Sequence, residues 1–181
     1  MTLPNLISLA RLLSVPLIVW LLLSGFYQMA FWLFVGASVS DGIDGFIAKR
    51  FNRASVLGAY LDPIADKMLL VSIYITLGQM GFLPLWLVIL VVSRDILIVG
   101  AVMLSYAMDQ PVRMAPLMVS KINTFAQIGL AGLVLSEHAY SWPLGTIEVG
   151  LVFIVAVSTV LSGGAYLVNW VKSMGGVESD E

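Results

Sequence analysis

The sequence predicts an all-α integral membrane protein, a bundle of six transmembrane helices with a short N-terminal interfacial segment. Three observations predict it. Of the 181 residues, 60% are hydrophobic and 11% charged, whereas a soluble domain averages about 25% charged residues. The mean hydropathy is +0.98. Six apolar stretches run along the chain, each near the ~20 residues that cross a hydrocarbon core about 30 Å thick. They are continuous rather than alternating, which suits helices and not a barrel.

The first stretch runs from Pro4 to Ser24 and is interrupted by Pro16. Residues from Thr2 to about Leu13 are read as lying along the interface before the spanning part begins. The stretch starts almost at Met1 and shows no A-x-A-like cleavage site, so it reads as a retained segment rather than a removed signal peptide. The second stretch runs from Tyr27 to Lys49, the third from Val56 to Gly78 and the fourth from Pro84 to Tyr106. The fifth runs from Leu117 to Leu135 and the sixth from Leu144 to Val171. Ser24-Gly25, Gly81 with Pro84, Asp109-Gln110-Pro111 and Trp142-Pro143 are ordinary breakers between them. Residues 1–174 thus read as one transmembrane domain, and 175–181 (Gly-Gly-Val-Glu-Ser-Asp-Glu) as a disordered tail. There is no cysteine, which excludes disulfides, thiolate catalysis and a cysteine metal site.

Lys and Arg orient the bundle. Lys49, Arg50 and Arg53 lie between the second and third stretches, Arg113 between the fourth and fifth, and Lys121 begins the fifth. Lys172 follows the sixth, while the turns after the first, third and fifth hold no Lys or Arg. The positive-inside rule then puts both termini in the cytoplasm, in the inner membrane of a bacterium. The functional end of the bundle would face the cytoplasm.

Four aspartates mark that end. Asp41 and Asp44 close the second stretch, in Asp41-Gly42-Ile43-Asp44-Gly45-Phe46-Ile47-Ala48-Lys49. Asp62 and Asp66 open the third, in Gly58-Ala59-Tyr60-Leu61-Asp62-Pro63-Ile64-Ala65-Asp66. Spacings of three and four residues put each pair on one helical face. Carboxylates crowded at a membrane repel one another unless cations sit between them, so the pattern reads as a site for hard divalent metals. Gly45 and Gly58 allow a ligand close approach and Ala48 keeps the face shallow. Lys49, Arg50 and Arg53 add cations beside the acids. Metals for oxygens, small residues for room and cations for charge balance suit a phosphate-bearing ligand.

Asp41, Asp44, Gly45, Ala48, Gly58, Asp62 and Asp66 resemble the signature of the CDP-alcohol phosphatidyltransferases. That signature is D-x-x-D-G-x-x-A-R, eight residues, then G-x-x-x-D-x-x-x-D. The sequence departs at Lys49, where the family usually has Arg, and Arg50 follows at once. The resemblance implies transfer of a phosphatidyl group from CDP-diacylglycerol to an alcohol, with release of CMP. It implies that Asp41, Asp44, Asp62 and Asp66 ligate two divalent ions, Mg²⁺ or Mn²⁺, and that Asp66 also acts as general base on the acceptor hydroxyl. Gly45, Ala48, Lys49, Arg50 and Gly58 would line the CDP-diacylglycerol site. It further implies a homodimer.

The acceptor is read from two other clusters. Ser93-Arg94-Asp95 lies within the fourth stretch, where an Arg-Asp pair is expensive. Ser120-Lys121-Ile122-Asn123-Thr124 opens the fifth, with Gln127 a turn later, and Lys121, Thr124 and Gln127 are expected to share a face. Family members that use glycerol 3-phosphate typically carry a second Arg on helix four and a second Lys on helix five. Those positions here are Val102 and Asn123, and the loss of two cations weakens the case for a dianionic acceptor. The pattern resembles instead the CDP-diacylglycerol-dependent cardiolipin synthases. Phosphatidylglycerol would be the acceptor, with Arg94, Lys121 and Thr124 contacting it; glycerol 3-phosphate is the alternative.

An ion-coupled transporter is the rival from another class. The acids cluster on one side rather than along a pore, and no internal repeat appears. His138, the only histidine, is expected in the turn after the fifth stretch, with no catalytic role. Trp142 and Tyr140 read as interfacial anchors. Nothing points to nucleic acid.

Overall fold

The computed structural model describes the backbone of residues 3–51, 56–107 and 118–174, and the side chains of 9–40, 67–101, 103 and 118–171. Six α-helices account for it: α1 (Leu3–Leu23), α2 (Tyr27–Phe51), α3 (Val56–Gln79), α4 (Leu85–Ala107), α5 (Met118–Tyr140) and α6 (Thr146–Met174). No strand occurs among the described residues. The tail at 175–181 lies outside them.

Two expectations need correcting. Pro16 does not divide the first stretch, because α1 is one continuous helix that contains it. A proline removes one backbone donor and crowds the preceding turn, but flanking turns and packed neighbours can carry the helix through. The second correction is at α5, which runs five residues past Leu135 to Tyr140. Its last turn holds His138, whose Nδ1 lies 2.9 Å from the Val134 carbonyl oxygen. The imidazole stacks on Phe82 with ring centroids 3.6 Å apart. His138 therefore belongs to the helix rather than to the turn beyond it. No apolar period marks that final turn, so the sequence pattern loses it.

The turns are set by glycine. Gly25 has φ +80° and Gly81 φ +78°, a region that costs a side chain but not glycine. At both, the next residue's N–H reaches back five residues: Phe26 N to Leu21 O at 2.9 Å, and Phe82 N to Leu77 O at 2.9 Å. This is the Schellman closure, which satisfies helix-terminal carbonyls.

The helices form a ring. α1 packs against α2 and α3, α4 joins α3 to α6, and α5 joins α6 to α2 while also touching α3. Ile18, Leu22, Phe34, Ile73, Tyr74, Leu77, Leu87, Val91, Leu130 and Val134 are among the large side chains sealed inside. The outside is also apolar. Trp20, Trp32, Ile96, Phe125 and Phe153 are all more than half exposed, a surface that suits hydrocarbon rather than water. Among the described residues, two helices are long and apolar enough to cross a membrane, Met118–Tyr140 and Thr146–Val171. In lipid the interior is held by close packing more than by exclusion of water. One contact shows how close it is: a Cβ added at Gly78 would sit 2.7 Å from Val88 Cγ2. Overpacking costs roughly 1–3 kcal/mol, and removing a mid-helix glycine returns roughly 0.5–1 kcal/mol. Gly78→Ala is therefore expected to lower the unfolding midpoint in detergent, and Val88→Ala in the same chain to restore it.

Candidate active site

Asp41 and Asp44 lie near the end of α2, and Asp62 and Asp66 near the start of α3. The chain thus carries both pairs to one end of the bundle, opposite the end where Tyr27, Phe82 and His138 meet. The backbone register extends the buried stripes. Asp41 stands seven residues after Phe34 and eleven after Ala30, both buried. Asp66 stands four residues before Leu70 and seven before Ile73, also buried. Such spacings recur on one helical face. α1 and α5 each pack on both α2 and α3, so they flank the aspartate-bearing helices. The side chains of Asp41, Asp44, Gly45, Ala48, Lys49, Arg50, Gly58, Asp62 and Asp66 lie outside the described residues, as does that of Val102. Among the described residues no group of three or more acids and histidines could hold a metal. The aspartate positions themselves fit one by donor chemistry: hard carboxylate oxygens, carried by two helices that share neighbours, suit a hard divalent ion.

Beside that end runs a buried polar network. Lys67, next to Asp66 on α3, places Nζ 2.6 Å from Asp95 Oδ1 on α4. Arg94 Nη1 donates to the same oxygen at 2.6 Å. Arg94 Nη2 donates to Ser120 Oγ on α5 at 2.6 Å and to Ser162 Oγ on α6. The guanidinium carbon lies 5.8 Å from the Tyr166 ring centroid, a cation–π distance. Arg94 and Asp95 are each 4% exposed. Arg94, expected to contact the acceptor, thus has both terminal nitrogens committed to protein and ties three helices together.

One turn along α5, Asn123 Oδ1 accepts hydroxyls from Ser158 at 2.8 Å and Thr159 at 2.9 Å, both on α6. A further turn along, Tyr74 of α3 donates to the Gln127 carbonyl at 3.0 Å. Asn123 and Gln127 are fully buried, and Asn123 Nδ2 and both side-chain polar atoms of Gln127 have no partner among the described residues. The expected grouping of Lys121, Thr124 and Gln127 needs correcting. Lys121 is exposed, Thr124 is half-buried with its hydroxyl donating to the Ser120 carbonyl at 3.1 Å, and Gln127 is sealed inside. Residues three and six apart fan across a helix, whereas Asn123 and Gln127, four apart, share the buried face.

Lys67, Ser158, Thr159 and Ser162 were not singled out by sequence. The signals were present: Lys67 directly follows the last aspartate, and two adjacent hydroxyls and a third one turn later interrupt an apolar helix.

A model of the CDP-alcohol phosphatidyltransferase family matches residues 1–162. The chain belongs to that family. Within it, the chain is 33% identical to a cardiolipin synthase (CMP-forming)/mitochondrial hydrolase fusion protein of Schizosaccharomyces pombe, over 93% of this chain and 31% of that protein. It is 31% identical to the cardiolipin synthase (CMP-forming) of Rattus norvegicus, over 78% of this chain and 52% of that one. The chain therefore spans only a third to a half of these two relatives. It is 30% identical to a CDP-diacylglycerol–glycerol-3-phosphate 3-phosphatidyltransferase of Bacillus subtilis, over 93% of this chain and 95% of that protein. Relatives named for both acceptor types thus match the chain at similar identity.

Proposed function

We propose that this protein transfers the phosphatidyl group of CDP-diacylglycerol to a hydroxyl of phosphatidylglycerol, giving cardiolipin and CMP. Family membership supports the donor and the reaction type. The observation that carries the acceptor is Asn123. Where the glycerol 3-phosphate enzymes typically have a second Lys, this chain buries a neutral amide whose oxygen is held by Ser158 and Thr159. A phosphomonoester needs several cationic donors; a phosphodiester carries one charge and needs fewer.

Asp41, Asp44, Asp62 and Asp66 would hold two divalent ions, Mg²⁺ or Mn²⁺, whose chemistry when bound is to stabilise charge on the leaving nucleotide phosphate. Asp66 takes the proton of the acceptor hydroxyl as that oxygen forms its bond to phosphorus and the bond to CMP breaks. Gly45, Ala48 and Gly58 leave room for the nucleotide, and Lys49 and Arg50 offset phosphate charge. Lys121, exposed on α5, supplies a cation for the phosphodiester of the acceptor, with Thr124 one turn away. Arg94 contributes field rather than a free donor fork. All six helices span the membrane, with the first turns of α1 at the interface and the termini and aspartates on the cytoplasmic side of a bacterial inner membrane. The protein acts as a homodimer.

The test is an acceptor competition. Purified protein receives CDP-diacylglycerol, Mg²⁺ or Mn²⁺, and equimolar phosphatidylglycerol, glycerol 3-phosphate, inositol phosphate and serine, and the lipid products are read by mass spectrometry. Cardiolipin is the expected product. Phosphatidylglycerophosphate as the dominant product, which the full-length likeness to the Bacillus subtilis enzyme favours, would keep the reaction and overturn the role given to Asn123.

A further inference from the structure

Asp95 Oδ1 receives two cations. Arg94 Nη1 and Lys67 Nζ each stand 2.6 Å from it, while Asp95 Oδ2 is buried with no partner among the described residues. One guanidinium already balances one carboxylate, so charge neutrality does not call for Lys67. Nor does stability: the Lys67 side chain is 34% exposed, and a partly solvated ion pair contributes little. What Lys67 does supply is a link. It is the residue after Asp66, and through Asp95 and Arg94 it joins that turn of α3 to α4, to Ser120 of α5 and to Ser162 of α6.

Resting on the reading of Asp66 given above, we infer that Lys67 is a positioning residue, whose tether to Asp95 sets the rotation of the α3 turn that presents Asp66. Successive helix positions differ by about 100°, so a tether at residue 67 fixes the angle at which residue 66 projects. A carboxylate about 5–6 Å from the helix axis moves about 1 Å for each 10° of rotation. A displacement of about 1 Å at a reacting group can cost about 10²-fold in rate. The hydrophobic stripe below (Leu69, Leu70, Ile73) holds α3 against its neighbours from the turn after Lys67 onward. Among the described residues, the Lys67–Asp95 pair is the side-chain tether nearest to Asp66.

The test compares Lys67→Met, Lys67→Arg and Asp66→Asn with the unaltered protein, using CDP-diacylglycerol, phosphatidylglycerol and Mn²⁺ in mixed micelles. For Lys67→Met, kcat should fall about 10- to 100-fold, KM for either lipid should stay within about threefold, and the unfolding midpoint should barely move. Lys67→Arg, which keeps a cation of similar reach, should recover most of kcat. Unchanged kcat in Lys67→Met overturns the inference. So does a rise in KM at constant kcat, which would make Lys67 a substrate contact, or a loss that simply follows a lowered midpoint. Asp66→Asn separates the two readings. If it turns over normally, the base assignment fails and the inference with it. If it is dead while Lys67→Met is normal, only the inference fails.

Discussion

Asp66→Asn is expected to lower turnover by about 10²- to 10⁴-fold, the range that a positioned general base supplies, while CDP in the presence of Mn²⁺ still binds within a few-fold of the unaltered affinity. The amide keeps the shape and one oxygen but cannot accept the acceptor's proton. Asp41, Asp44 and Asp62 retain carboxylates for the metals. Single-turnover measurements with saturating CDP-diacylglycerol isolate the chemical step, and nucleotide binding is followed separately by calorimetry. A variant that loses binding and turnover together would make Asp66 chiefly a metal ligand. A variant that keeps turnover would move the base elsewhere. The largest loss is expected here rather than at Lys49 or Arg50, because two adjacent cations can substitute for each other in offsetting phosphate charge, whereas no second carboxylate follows Asp66 on α3.

The helices were legible because each is an apolar run bounded by glycine, proline or, between α2 and α3, a cluster of cations. Apart from the end of α5, every helix boundary lies within three residues of the expected one. The aspartate motif was legible because acids are so rare in this chain that their spacing stands out. Three things were hidden. The end of α5 was hidden because its last turn, Ser136 to Tyr140, is polar and aromatic and gains its partners from Phe82 in the α3–α4 turn and Phe31 on α2. The continuity of α1 through Pro16 was hidden because proline weakens a helix locally and cannot report the packing that carries it through. The partners of Arg94 and Asn123 were hidden because they are long-range. Ser162 stands 68 residues from Arg94, and Thr159 stands 36 from Asn123. Intramembrane polar residues announce that a partner exists; which hydroxyl on which helix supplies it depends on how the ring closes.

The same ring closure sets the largest expected effect on stability. Asp95→Leu should destabilise the fold by roughly 3–5 kcal/mol, the cost of leaving a buried ion without its counter-charge. Arg94 is 4% exposed; without Asp95 its Nη1 faces no anion among the described residues, and Ser120 and Ser162 offer only neutral acceptors. Arg94→Leu should cost less, because Lys67 already sits 2.6 Å from Asp95 and keeps it paired. Ser120 and Ser162 can then turn their hydroxyls to carbonyls of their own helices. The double variant Arg94→Leu with Asp95→Leu should be more stable than Asp95→Leu alone, since it removes both buried charges and leaves Lys67 to reach solvent. Unfolding midpoints in one detergent would rank the three. That order, with the double above the Asp95 single, is what a one-carboxylate, two-cation network requires. Three equal, small losses would mean that the pair behaves as an exposed ion pair worth at most about 1 kcal/mol, and that apolar packing among α4, α5 and α6 holds this end without it.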